Sequence, residues 1–144
     1  MNIFVYGAGV LGSLYAARLQ ESGCNVSILA RGQRLADIRE YGIVLEDART
    51  GQQTSTHVNV VEHLSPEDAY DLVVVLMRRN QVSAVLPVLA ANRRTPNVLF
   101  MVNNAAGPGE FIRAVGRERI LLGFPGAGGT REGDIVRYHE RQWL

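Results

Sequence analysis

No lysine occurs anywhere in these 144 residues; all 15 cationic side chains are arginine. That absence removes Schiff-base chemistry, a lysine general acid and the phosphate-gripping lysine of a P-loop from this polypeptide's repertoire. Cysteine is nearly as scarce. Cys24 has no second cysteine with which to form an internal disulfide; it reads as inert core at a strand start, and a reducing, cytoplasmic setting is expected. His57, His63 and His139 lack the close spacing of metal ligands, so no metal is expected and each reads as a surface or strand residue. With a net charge of only +1, no general attraction to nucleic acid or to an anionic membrane is implied. No apolar run approaches a membrane span, and the strand pattern starts so close to Met1 that no signal peptide is expected. No Ser/His/Asp or Cys/His arrangement carries a recognisable nucleophile signature.

Glycine, with 15 residues, is plentiful, and its placement is informative. The apolar run Ile3 to Tyr6 ends in Gly7-Ala8-Gly9-Val10-Leu11-Gly12, a G-x-G-x-x-G spacing. An amphipathic stretch follows at once, with Val10, Leu14 and Ala17 at helical spacing. Strand, glycine turn and helix in that order form the context in which this motif signals a dinucleotide site. Gly7 permits the tight turn, Gly9 lets backbone approach a pyrophosphate, and Gly12 lets helix and strand pack closely. The freed amides and the positive end of the helix dipole then face the anion.

A second strand, Asn25–Ala30, follows Gly23. NAD-specific sites place a carboxylate near the end of this strand to take the ribose 2′-hydroxyl. Here the positions read Ala30-Arg31-Gly32, with Arg34 close behind and no carboxylate before Asp37. A cation at a helix start opposes the dipole and needs another reason to be there. Arg31 is therefore expected to grip a 2′-phosphate, which makes NADP(H) the expected cofactor.

The rest of the chain alternates between strand and helix patterns. Leu35, Ile38 and Tyr41 mark a short helix stopped by Gly42; Ile43–Glu46 and Gln52–Val60 read as a hairpin around the turn Asp47–Gly51. Ser65-Pro66-Glu67-Asp68 resembles a helix N-terminus, with Pro66 in the first helical position. Leu72–Met77 is the continuous apolar run of a strand buried on both faces. The pattern then predicts a helix over Gln81–Asn92 that Pro87 should kink or restart, a strand over Asn97–Met101, a helix over Glu110–Val115 and a strand over Arg119–Gly123. Gly126, Gly128 and Gly129 read as a flexible loop before a last strand, Ile135–Tyr138. The fold class is α/β: one domain over 1–144, a doubly wound, mostly parallel sheet of Rossmann type with a β-hairpin insertion and a C-terminal extra strand. Ligands of such sheets sit at the carboxyl ends of strands, here Gly7–Gly12, Arg31, Met77–Asn80, Val102–Gly107 and Phe124–Gly128, where Arg31, Arg78, Arg79, Asn80, Asn103 and Asn104 gather. Asn103 directly ends a buried strand, and a functional role is expected for it.

Together these residues resemble the N-terminal domain of the ketopantoate reductase (2-dehydropantoate 2-reductase) family. The resemblance is carried by Gly7–Gly12, Ala30-Arg31-Gly32, Arg39–Leu45, Asp71–Leu89, Val102-Asn103 and the late glycine segment before Ile135–Tyr138. It implies an NADPH-binding domain whose coenzyme reduces a 2-oxo acid to a 2-hydroxy acid, as in pantothenate biosynthesis. It further implies that Arg31 reads the 2′-phosphate and that Asn103 lies near the nicotinamide ribose and substrate. Two features depart from the family pattern: Arg78 stands where the family usually has lysine, and Asn103-Asn104-Ala-Ala-Gly107 replaces an Asn-Gly pair. The resemblance implies a second, helical domain carrying the catalytic lysine, expected after residue 144. This chain would then bind NADPH without reducing 2-oxo acids by itself. A homodimer is left open. Two alternatives remain: the cofactor domain of an opine-type or other 2-oxo acid dehydrogenase, and a non-catalytic module that senses dinucleotides.

Overall fold

A computed structural model describes residues 1–140. Trp143-Leu144, which the sequence places just after the last strand, lie outside the described residues. Strands β1 (Asn2–Tyr6), β2 (Asn25–Leu29), β5 (Asn59–Val61), β6 (Leu72–Val75), β7 (Val98–Phe100) and β8 (Ile120–Leu122) form one sheet in the order β5-β2-β1-β6-β7-β8. Every pairing in it is parallel. Helices α1 (Val10–Glu21), α2 (Gly32–Tyr41), α3 (Arg79–Ala91) and α4 (Gly109–Val115) connect its strands. Central strands covered on both sides must be apolar throughout, which explains why β1 and β6 read as unbroken hydrophobic runs.

Two apolar clusters result. One buries Ile3, Val5, Ile28 and Val74 against Leu14 and Ala17 of α1. The other buries Phe4, Val73 and Phe100 against Val82, Leu86 and Leu89 of α3 and Phe111 of α4, whose ring stacks on Phe100 at 4.2 Å. The expected helical spacing is thus met at Leu14, Ala17, Leu35, Ile38, Val82, Leu86 and Leu89. Tyr41 departs from it and stays half exposed, because α2 ends there and Gly42, at φ +73°, turns the chain away.

The structure corrects four sequence expectations. The strand expected over Gln52–Val60 is two strands in different sheets. β4 (Gln53–Thr56) pairs back on β3 (Ile43–Asp47), whereas β5 pairs with β2 at the edge of the main sheet. Ser65–Asp68 closes a turn and starts no helix: the Asp68 carboxylate accepts from the Ser65 N–H at 2.8 Å, and only three residues remain before β6. Gly128 and Gly129 are not in a flexible loop but lie within β9 (Ala127–Glu132), antiparallel to β10 (Ile135–Glu140). A Cβ on Gly129 would fall 2.2 Å from the Arg137 carbonyl oxygen, so the bare backbone is what allows the two strands to approach. Finally, α3 begins at Arg79 and runs through Pro87 unbroken. Pro87 and Ser83, whose carbonyl loses its partner there, both face solvent, so water can replace the missing bond.

β10 does not extend the main sheet. It pairs in parallel with β3, and the two hairpins merge into a second sheet ordered β4-β3-β10-β9. Val136 and Tyr138 turn from this sheet into the α1 side of the core. Arg18 of α1 donates to the Tyr138 hydroxyl at 2.6 Å and stacks over its ring, tying helix and second sheet together. Cys24 is half-buried in the turn between α1 and β2, outside the fully buried core.

Candidate functional site

The carboxyl ends of β1, β2 and β6 open into a cleft of about 1010 Å³. Its floor is the turn from β1 into α1. Gly7 sits at φ +124°, and a Cβ there would lie 2.2 Å from the Leu76 carbonyl oxygen. On Gly12 a Cβ would lie 1.8 Å from the Gly7 carbonyl oxygen. These two glycines therefore let strand and helix close on each other. Gly9 differs: it is the N-cap of α1, and a Cβ on it would meet nothing within 4 Å. The first turn of α1 holds no acidic residue, so its amides and dipole face the cleft unopposed. Ala8, Val10 and Leu11 also line the cleft, completing the run Gly7–Gly12.

Arg31, two residues past β2 at the N-cap of α2, lines the cleft, exposed, with its Nε 3.5 Å from the Glu62 carbonyl oxygen. It also borders Tyr6, whose hydroxyl is pushed up by burial while the Arg31 charge pulls the other way. Arg34, one turn further, is better held. Its Nε donates to the Ala8 carbonyl oxygen at 3.1 Å and its Nη2 to the Ser13 hydroxyl at 2.6 Å, so it clasps the glycine turn from the side. Burial depresses its guanidinium, and the nearby charge of Arg131 depresses it further.

Met77 and Arg78 line the opposite wall, where β6 gives way to α3. Arg78 is the exposed N-cap of α3, and its N–H donates to the Gln81 side-chain oxygen at 3.2 Å. Arg79 turns away from the cleft. It pairs with Glu110 at 2.6 Å, donates to Asn104 at 3.3 Å and stacks over the Phe111 ring. The Glu110 carboxyl, bonded to Arg79 and Ser83, is held below the usual carboxylate range. Asn104 also donates to the Gly107 carbonyl oxygen, which folds the loop after β7 onto α4. Asn103 lies exposed on that loop and is not among the residues lining the cleft, and Asn80 is likewise outside it.

The structure thus brings together Gly7–Gly12, Arg31, Met77 and Arg78 in one cleft. Gly128, within the strand-end segment 124–128, also lines the cleft; beyond the residues singled out as site candidates, so do Gln81, Gly129 and Arg131. Gln81 had a signal, since its position three residues after Arg78 is that of a capping glutamine. The others had none, because β9 reaches the cleft only by way of the second sheet.

Comparison with known proteins follows the same lines. The family model for ketopantoate reductase PanE/ApbA matches residues 3–143. A 2-dehydropantoate 2-reductase of Listeria innocua is 27% identical over 145 residues, 98% of this chain and 48% of the relative. Another from Nostoc sp. is 24% identical over 119 residues, 83% of this chain and 37% of the relative. The chain spans half or less of the length of these curated relatives. Among solved structures, D-mandelate dehydrogenase with NADH and anilino(oxo)acetate superposes with a TM-score of 0.80 at 24% identity, over 96% of this chain and 46% of that one. The probable 2-dehydropantoate 2-reductase of Bacillus subtilis gives a TM-score of 0.81 at 24% identity, over 97% and 47%. At such identity these two structures establish the fold.

Proposed function

The chain belongs to the ketopantoate reductase PanE/ApbA family, and from that premise we propose that it is the coenzyme-binding half of an NADPH-dependent 2-oxo acid reductase. One observation carries the reading: just after β2 an arginine faces a cleft whose lining, among the described residues, holds no carboxylate and whose floor is the bare amides of a glycine turn. The donor set fits a phosphorylated dinucleotide. The amides of Gly9–Gly12 and the dipole of α1 take the diphosphate, and Arg31 takes the 2′-phosphate. Met77 and Arg78 border the coenzyme from the β6 side; Asn103, exposed on the loop after β7 and outside the cleft lining, is assigned to the nicotinamide and substrate end by the family resemblance alone. When bound, the nicotinamide supplies the hydride. These residues bind and orient; none is a lysine, and the proton for the nascent hydroxyl is assigned to a second, helical domain beyond residue 144.

Calorimetric titration with NADPH, NADH and ATP tests the reading. NADPH should bind most tightly, and Arg31→Ala should weaken it by about 1.5 kcal/mol, the lower end for a charged hydrogen bond at an exposed site. NADH affinity should be nearly unchanged. Equal losses for both coenzymes would remove the 2′-phosphate assignment, and a preference for NADH, the coenzyme held by D-mandelate dehydrogenase, would reverse it. The chain alone should bind NADPH without oxidising it in the presence of ketopantoate; steady turnover would refute the division of labour.

A further inference from the structure

Three arginines from separate parts of the fold line the cleft, and the charge of Arg131 acts on Arg34. Arg31 lies between β2 and α2, Arg34 in the first turn of α2, and Arg131 on β9 of the second sheet. Among the described residues none of the three forms an ion pair, although Arg18, Arg79 and Arg137 each do. Arg34 is fixed: two of its nitrogens are committed to Ala8 and Ser13, and its Nη1 is buried without a partner among the described residues. Arg131 is exposed, with a single hydrogen bond from Nη1 to the Gly133 carbonyl oxygen at 3.1 Å. Asp37 and Asp134 oppose the charge of Arg34 from a distance, and Asp37 is itself engaged by Gln33 at 2.7 Å. Like charges gathered in a partly enclosed cleft repel one another and focus positive potential, an arrangement that an anion relieves.

We propose that Arg131 is a specificity-determining residue, forming with Arg31 a clamp over the fixed charge of Arg34 that receives the phosphate monoester on the coenzyme's adenosine ribose. The inference rests on the NADPH reading above and adds the second sheet to it. Glycine amides already serve the diphosphate, so the arginines at the β2 end are available for a further phosphoryl group. A phosphate monoester offers three acceptor oxygens, enough for guanidinium groups approaching from two sides. Hairpin β9–β10 then has a binding role besides its packing against α1.

Titration of the full chain with adenosine 2′,5′-bisphosphate and adenosine 5′-monophosphate isolates this contact. The wild-type chain should prefer the bisphosphate. Arg131→Gln should weaken the bisphosphate about tenfold at low salt, leave the monophosphate within about twofold, and lose part of its effect as salt rises. Arg131→Lys should recover part of the preference. Because Arg131 is exposed and its charge bears on Arg34, its removal should not lower the melting temperature. Equal effects on both nucleotides, or none on the bisphosphate, would overturn the inference. If Arg31→Ala abolishes the preference while Arg131→Gln does not, the clamp fails and the NADPH reading stands. A wild-type chain without any preference for the bisphosphate would refute both.

Discussion

Two glycines of the opening turn should behave oppositely when each is given a methyl group. On Gly12 the new Cβ would lie 1.8 Å from the Gly7 carbonyl oxygen, more than an ångström inside any tolerable approach. That oxygen belongs to the backbone of a turn whose own glycine lies so close to the Leu76 carbonyl that it has no room for a Cβ, so the turn has little space in which to retreat. Helix α1 must therefore move off β1, opening the core around Val5 and Leu14. Overpacking of this kind costs about 3 kcal/mol, a drop of roughly 10 °C in melting temperature for a domain of this size. On Gly9 the methyl meets nothing within 4 Å, and the residue already has φ −77° and ψ −162°, which alanine adopts freely. A weaker N-cap and a less flexible unfolded chain nearly cancel, leaving stability within about 1 kcal/mol of wild type. The methyl does, however, occupy space over the amides that are to receive the diphosphate, and NADPH affinity should fall tenfold or more, ~1.4 kcal/mol. Thermal melting and calorimetry on Gly9→Ala and Gly12→Ala separate the two effects. A Gly9→Ala chain that binds NADPH like wild type would place the diphosphate elsewhere, and a Gly12→Ala chain that melts like wild type would refute the packing argument.

Other perturbations probe what surrounds the site. Arg119 donates to the carbonyl oxygens of Leu89, Asn92 and Thr95 at 3.4, 2.5 and 3.0 Å, capping the end of α3. Arg119→Ala should cost about 1.5 kcal/mol, discounted for partial exposure, and lower the urea midpoint; an unchanged midpoint would contradict the cap. Because Arg79 and Ser83 hold the Glu110 carboxyl below its unfolded value, their contribution is complete above the ordinary carboxylate range and fades as pH falls through the folded value. Melting curves of wild type and Glu110→Gln should therefore differ most near neutrality and converge in acid. A gap that stays constant with pH would rule out the ion pair as its source.

How much of this was legible beforehand differs from element to element. β1 and β6 were readable because a strand buried on both faces must be apolar at every position, whatever its neighbours. α3 was readable through Val82, Leu86 and Leu89, although its first residues, Arg79 and Asn80, carry no apolar signal. Gly128 and Gly129 misled because glycine in a loop and glycine in a crowded strand look the same until the facing backbone is known. Arg78 and Arg79 look alike by residue type, and only the resemblance singled out Arg78; the positions of Glu110 and Phe111 are what turn Arg79 from the cleft.

The residues alone determined the parallel α/β core and the glycine turn at its first crossover, because both depend on local periodicity and on backbone freedom at adjacent positions. Tertiary structure decided that the hairpins β3–β4 and β9–β10 share a sheet, and that Arg34 clasps Ala8 while Arg131 joins it from another layer. Alternation along a strand reports which side is buried and not which strand lies alongside. A long arginine side chain takes its direction from partners that chain folding brings from far away in sequence.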